Sequence, residues 1–309
     1  MRMKYEINPL SVAKIFLVAA ALALLCGCAQ QPVAPSHRLA VLPLTMQIRQ
    51  INRMADRIST LRLTGSLKIT YVSRHNRPGS LSLHAVLLVD RLAAHRANAA
   101  STRHQAEVLL LTTYLGQNAM ELGVNRSGYW LINHQKNIAY IGALDARGQT
   151  PPGVLPLNPA DLLSLLGFAA VPTDGRTIQT VVPGAADVQL LVLGYHHGQL
   201  IVSRQLAISR YTGRITQVTL FNSDARATAI CHMNHYPALA PDAIASSSTP
   251  ISNLICRQFS IVVPSRRMTI QFNVHHVYAK LPGKARFIFR RPSLRGDKVH
   301  IIVPFSAAH

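Results

Sequence analysis

Carboxylates are scarce in this 309-residue chain, with 12 Asp and Glu against 32 Lys and Arg, and only Glu6, Glu107 and Glu121 as glutamates. General acid–base work by paired carboxylates is poorly provided for. No His-Glu-x-x-His, Gly-x-Ser-x-Gly or P-loop is present. The chain therefore does not read as an enzyme, and no cofactor is expected. Glu121 sits inside a strand-like run, where a structural hydrogen bond or ion pair is a better reading than catalysis. Tryptophan occurs once, at Trp130. The one apolar run near the N-terminus, Ile15 to Leu25, has eleven residues, short of the roughly 17–25 that span a bilayer. No second span follows it.

The charge imbalance, +20 with histidine neutral, favours anionic partners: phospholipid headgroups, envelope polyanions or nucleic acid. Charge spread along a whole chain also fits plain solubility. The N-terminus narrows the choice. Arg2, Lys4 and Lys14 precede and flank the apolar run, and Leu25-Cys26-Gly27-Cys28 resembles a lipobox. Residues 1–27 then form a lipoprotein signal peptide and Cys28 becomes the lipidated first residue. A plain secretory signal is the alternative, since Cys26 disturbs the motif and a cleavage site before Ala29 is conceivable. A diacylglyceryl group plus an amide-linked acyl chain of the palmitate kind would hold the protein at about 0.8 kcal/mol per buried methylene. Export makes nucleic acid the poorest of the three partners. Of the four cysteines, Cys231 and Cys256 remain, and an even pair in an exported protein suggests a disulfide. Two buried free thiols are the alternative.

Residues 28–43 are small, polar and proline-bearing, as suits a tether. Leu44, Ile48, Ile51, Ala55 and Ile58 then recur at helical spacing and predict an amphipathic helix over 44–59. Leu61 to Tyr71 alternates apolar and polar residues, and comparable strand runs follow at 80–90, 107–114, 118–124, 129–133 and 137–141. Pro151 to Phe168 interrupts them with a short apolar helix, Asn158 as its N-cap and Gly167 as its stop. Strand patterns resume at 188–194, 199–209, 215–221, 227–235, 251–263, 268–279, 287–290 and 299–304. Roughly a dozen strands and two helices over residues 44–309 predict a mainly β, antiparallel domain.

The run Leu115-Gly116-Gln117-Asn118-Ala119-Met120-Glu121-Leu122-Gly123-Val124-Asn125, followed by Tyr129-Trp130-Leu131-Ile132, resembles the central strands of the lipoprotein-carrier superfamily of LolA, LolB and LppX. It is closer still to a branch of envelope lipoproteins with a Gly-Gln-x-x-x-Glu-Leu/Ile-Gly-x-Asn run. Leu61 to Val72 resembles the opening strand of that group, Pro159 to Gly167 its mid-chain helix, and Arg204 to Arg214 a later strand and turn. The resemblance implies an unclosed antiparallel β-barrel, a half-pipe whose N-terminal and mid-chain helices lie over an apolar concavity that receives acyl chains. On that reading Leu162, Leu163, Leu165, Leu166 and Phe168 line the lid helix, although ordinary core packing is the commoner reason for an apolar helix. Val154, Leu155 and Leu157 become a membrane-contact loop. Ala29, in place of Asp after the lipidated cysteine, implies the outer membrane, facing the periplasm. The implied partners are membrane lipid or lipoprotein acyl chains, an anionic membrane surface, and a periplasmic lipoprotein chaperone as donor. The rival is a non-enzymatic adaptor of the same fold, packed shut, whose basic surface binds an anionic polymer or a protein.

Two features add little. Histidine is frequent, as His196-His197, His275-His276 and the run Cys231-His232-Met233-Asn234-His235, but strand alternation sends neighbours to opposite faces and no metal is expected. Lys284, Arg286, Arg290, Arg291, Arg295 and Lys298 surround Phe287 and Phe289, which reads as a solvated loop with two core phenylalanines or as a contact to membrane headgroups.

Overall fold

The computed structural model describes residues 38–73, 75–91, 106–125, 127–142, 161–173, 175, 177–196, 198–239, 248–281, 289, 290, 292 and 298–302. Apart from Arg38 they belong to one compact unit, residues 39–309. Helix α1 (Leu44–Arg57) comes first, then strands β1 (Thr60–Val72), β2 (Pro78–Asp90), β3 (Glu107–Tyr114), β4 (Gln117–Asn125), β5 (Gly128–Asn133) and β6 (Ile138–Gly142). Helix α2 (Leu162–Leu165) leads to β7 (Thr177–Pro183), β8 (Asp187–His196), β9 (Gln199–Ser209), β10 (Ile215–Phe221) and β11 (Ala227–Asn234). The short helix α3 (Ile251–Leu254), β12 (Gln258–Val263), β13 (Met268–Tyr278) and β14 (Lys298–Ile302) complete the described chain.

These strands form one 14-stranded sheet in the order β14-β6-β5-β4-β3-β2-β1-β13-β12-β11-β10-β9-β8-β7. The chain meanders from β1 out to β6, transfers to the far edge at β7, and meanders back until β13 pairs with β1. Every pairing is antiparallel except β14 with β6. The sheet is unclosed, with β14 and β7 at its edges. This is the mainly β half-pipe expected from the sequence.

One face carries the main core: Leu61, Leu63, Leu67 and Ile69 of β1, Leu87 and Val89 of β2, Phe259 and Ile261 of β12, and Ile270 and Phe272 of β13, with α1 and α2 packed on them. At the centre, β13 bulges opposite Thr64 and Gly65. A Cβ on Gly65 would lie 1.9 Å from the Asn273 carbonyl oxygen, so only glycine admits this approach. The outer face of β2 to β6 is covered too, by Leu88, Leu109, Trp130, Ile132, Ala139 and Phe289. There the Trp130 ring lies over Gly123, its cross-strand partner, and its indole N–H donates to Glu121 Oε1 at 2.8 Å. The structural role expected of Glu121 is the one observed. Phe289 is one of the two phenylalanines expected in the core, while Phe287 lies outside the described residues.

Three local expectations need correction. Residues 251–263 are not one strand: helix α3 opens them, its Asn253 N–H donating to the Pro250 carbonyl, and strand β12 covers only Gln258–Val263. Ile251, Leu254 and Ile255 fit one helical face as well as they fit a strand. Phe289 and Arg290 form a turn and bend, and 287–288 fall outside the description. Strand β7 escaped notice because its alternation points the wrong way: Ile178 and Val182 are exposed at the sheet edge and Pro183 ends it.

Candidate functional site

The concave face holds an apolar cavity. Its floor comes from Leu67 and Ile69 of β1, Leu87 of β2, Leu110 and Thr112 of β3, Met120 and Leu122 of β4, and Leu131, Ile261, Ile270 and Phe272 from β5, β12 and β13. Leu162 and Leu166 roof it. The only polar side chain among the described lining residues is neutralised: Thr112 Oγ1 donates to the Met120 carbonyl at 3.1 Å and accepts the Met120 N–H at 3.0 Å. The space between atoms is about 750 Å³ with the mouth included, yet only about 60 Å³ admits the centre of a water-sized sphere. Small-molecule pockets commonly run to about 300–1,000 Å³. With α2 down, the cavity is a narrow slot.

The roof is pinned by polar side chains rather than by its own length. Helix α2 ends as the sequence predicts: Gly167 takes φ of +72°, its N–H donates to the Ser164 carbonyl and the Phe168 N–H to the Leu163 carbonyl. Those two bonds form a Schellman cap. Beyond it, Arg91 at the end of β2 donates to the Phe168 carbonyl. Arg204 of β9 donates to the Ala170 carbonyl at 3.0 Å. Asn52 of α1 brackets Val171, accepting its N–H at 2.7 Å and donating to its carbonyl at 3.0 Å. Burial pulls both arginines down, Arg204 to about 10, with Asp161 opposing the shift at Arg204 and Asp56 at Arg91. At neutral pH both remain charged.

The five residues expected on the lid helix are all buried, between 0% and 8% exposed, but they do not share one role. Leu162 and Leu166 face the cavity, whereas Leu166 and Phe168 line a smaller hollow with Met233 and Phe259. The Phe168 ring meets Phe259 edge-on at 5.9 Å. Leu163 and Leu165 sit in the main core. Cys28 and the loop residues Val154, Leu155 and Leu157 lie outside the described residues.

The expected bridge between Cys231 and Cys256 is not formed. Both are buried free thiols. Register puts Val218 and Ile261 opposite Cys231, while Cys256 precedes β12 and turns its thiol to the Gln258 carbonyl at 3.5 Å. Burial pushes Cys231 up to about 12 and Cys256 well above its usual value. In β11 Cys231 and Met233 point inward and His232 and Asn234 outward, which splits the soft donors of that run.

Sequence reasoning missed the cavity floor and the clamp. Inward strand parity already singles out Leu67, Ile69, Ile270 and Phe272. For the clamp the one signal was Arg204, inside a stretch read only as strand and turn.

Solved structures repeat this architecture. A domain from Vibrio parahaemolyticus, described as outer membrane lipoprotein-sorting, aligns with TM-score 0.51 at 7% identity, covering 79% of this chain and 98% of its own. The fold is the one that domain has. A DUF1329 family protein from Desulfovibrio piger aligns equally well, with TM-score 0.51 at 8% identity over 81% of this chain and 98% of its own. A LolA superfamily protein from Nitrosomonas europaea gives TM-score 0.48 at 6% identity over 81% and 99% of the two chains. At such identities the likeness is one of fold. No family model matches the sequence, and no curated protein does.

Proposed function

We propose that this chain is an exported, lipid-anchored envelope protein that binds an acyl chain, free or carried by a lipoprotein, in the cavity beneath α2. Residues 1–27 are its signal peptide, 28–43 its tether from lipidated Cys28, and 44–309 the half-barrel, held at the outer membrane and facing the periplasm. The observation that carries the reading is the cavity itself, whose lining offers twelve apolar side chains and one threonine with its hydroxyl already bonded. Such a lining has no group with which to do chemistry on a ligand and gains by burying methylenes, about 0.8 kcal/mol each. Binding by apolar burial needs no covalent step, so the protein acts as carrier or acceptor, with a periplasmic lipoprotein chaperone as the natural donor. The slot is narrow, so the acyl chain enters as α2 lifts.

The tight closure of α2 supports a second reading, in which the same fold stays shut and serves as an adaptor for an anionic polymer or a protein. Lipid extraction and native mass spectrometry of the protein purified from membranes separate the two. Co-purifying lipid that is lost in Leu162→Gln/Leu166→Gln, with the fold kept, supports the carrier. A protein free of extractable lipid that binds an anionic polymer in a salt-sensitive way supports the adaptor.

A further inference from the structure

A second hollow lies between α1 and strands β8 to β10, reaching from buried Gln47 and Ile51 of the helix out to its exposed edge and the β9–β10 turn. Its open volume is about 440 Å³, against about 60 Å³ for the α2-roofed slot. Among the described residues four arginines line it, Arg49, Arg53, Arg57 and Arg210, and no Asp or Glu does. Arg210 is committed to structure, donating to the Leu39 and Gly184 carbonyls, and Arg57 donates to the Thr249 carbonyl. Arg49 and Arg53, one helical turn apart and both exposed, are left facing outward. Beside them Leu42 and Met46 are 41% and 46% exposed at the mouth. Apolar side chains beneath a pair of cations, with no acid among the described lining residues, match an amphiphile with an anionic head.

The path of the chain adds a second, independent argument. The groove is walled by Leu39, whose N–H donates to the Arg210 carbonyl at 2.6 Å, so the N-terminal segment arrives at this point. Cys28 lies eleven residues upstream, within roughly 36–40 Å of extended chain. We infer that the α1 groove is the face by which the anchored domain docks on the bilayer, Arg49 and Arg53 meeting the phosphate of an anionic phospholipid while Leu42 and Met46 enter among the acyl chains. This inference rests on the anchoring at Cys28 proposed above, and it assigns to α1 a role separate from the α2-roofed cavity.

The test uses the full chain reconstituted in vesicles of phosphatidylcholine or of an equal mixture with phosphatidylglycerol, with a bimane fluorophore on Met46→Cys. The emission of the label is expected to shift to the blue in the anionic vesicles alone. Arg49→Gln/Arg53→Gln should weaken docking about 30-fold, at about 1 kcal/mol for each arginine removed. Equal emission in both vesicles, or indifference to the double substitution, overturns the inference. Leu162→Gln/Leu166→Gln should leave docking unchanged, and the arginine substitutions should leave co-purified lipid unchanged, so failure of the cavity reading is seen separately. If the protein proves to carry no anchor, it is added to preformed vesicles and sedimented, and the same preference for phosphatidylglycerol decides.

Discussion

Replacing Arg204 with methionine isolates what holds the roof down. The guanidinium sits 7% exposed on β9, donates to the Ala170 carbonyl and faces Asp161. A hydrogen bond from a charged donor is worth about 1.5–3 kcal/mol. Against that, burial lowers the group to about 10, which corresponds to about 3 kcal/mol of disfavour for the charge. The two effects nearly cancel in global stability, as they often do when a buried charge is exchanged for an apolar side chain. They do not cancel locally, because the desolvation cost is borne by β9 while the lost bond belongs to the segment after α2. The urea midpoint of Arg204→Met should therefore shift by less than about 1 kcal/mol equivalent, while amide exchange in residues 161–173 accelerates about 10- to 100-fold. Unchanged exchange in that segment would refute the clamp. So would destabilisation spread evenly through β1 to β13.

Gly123→Ala puts a methyl 2.0 Å from the Trp130 ring; it should cost about 1–3 kcal/mol in urea and shift the emission of the only tryptophan to the red as the ring is displaced. Asn52→Ala removes both bonds to Val171 and should cost about 2 kcal/mol, with faster exchange around Val171 as the signature. Cys231 and Cys256 should resist iodoacetamide in the native protein at pH 8 and react on unfolding, because burial holds both protonated. The same burial has a pH consequence of definite sign. Cys231 is raised in the folded state, so its contribution is fully present below the thiol range of the unfolded chain and is lost as pH climbs toward about 12, at about 1.4 kcal/mol per pH unit. The fall in stability above pH 9 should be shallower in Cys231→Val, and an identical slope in the two proteins would contradict it.

The sheet was largely legible before any coordinates because its period-two signal is local. Strands β3, β9 and β10 fall where their alternation places them, and most others agree to within a residue or two. Edge strand β7 failed for a physical reason, since its apolar side chains face solvent and alternation then carries no information about the core. The helical start of residues 251–263 failed because a short apolar run satisfies both periods. Gly167 was readable as a helix stop, because only its positive φ is required. The clamp was not readable, because Arg91, Asn52 and Arg204 come from three distant elements and converge only once the sheet curls. The thiol pair was misread because evenness of cysteine count says nothing about register.

The crossing from β6 to β7 explains why such a short helix serves as a roof. In this strand order those two strands are twelve strand spacings apart, roughly 60 Å along the sheet at about 4.8 Å each. The described part of this connection, residues 161–173, lies on the concave face, where α2 touches β10 and β11. The cavity floor, however, is built from β1 to β5 with β12 and β13. The roof is thus fastened to one side of the half-pipe and merely rests on the other. Its polar attachments Arg204, from β9, and Asn52, from α1, belong to the fastened side, while across the cavity Leu162 and Leu166 meet apolar side chains and Arg91 donates to Phe168. Apolar contact is replaced without loss by the methylenes of an acyl chain, whereas the bonds to Ala170 and Val171 are not. On the carrier reading proposed above, an entering chain would lift Leu162 and Leu166 off the floor while the attachments act as a hinge. Arg91, reaching Phe168 from the end of β2, opposes this motion from the far side of the cavity, so its bond must break as the roof lifts.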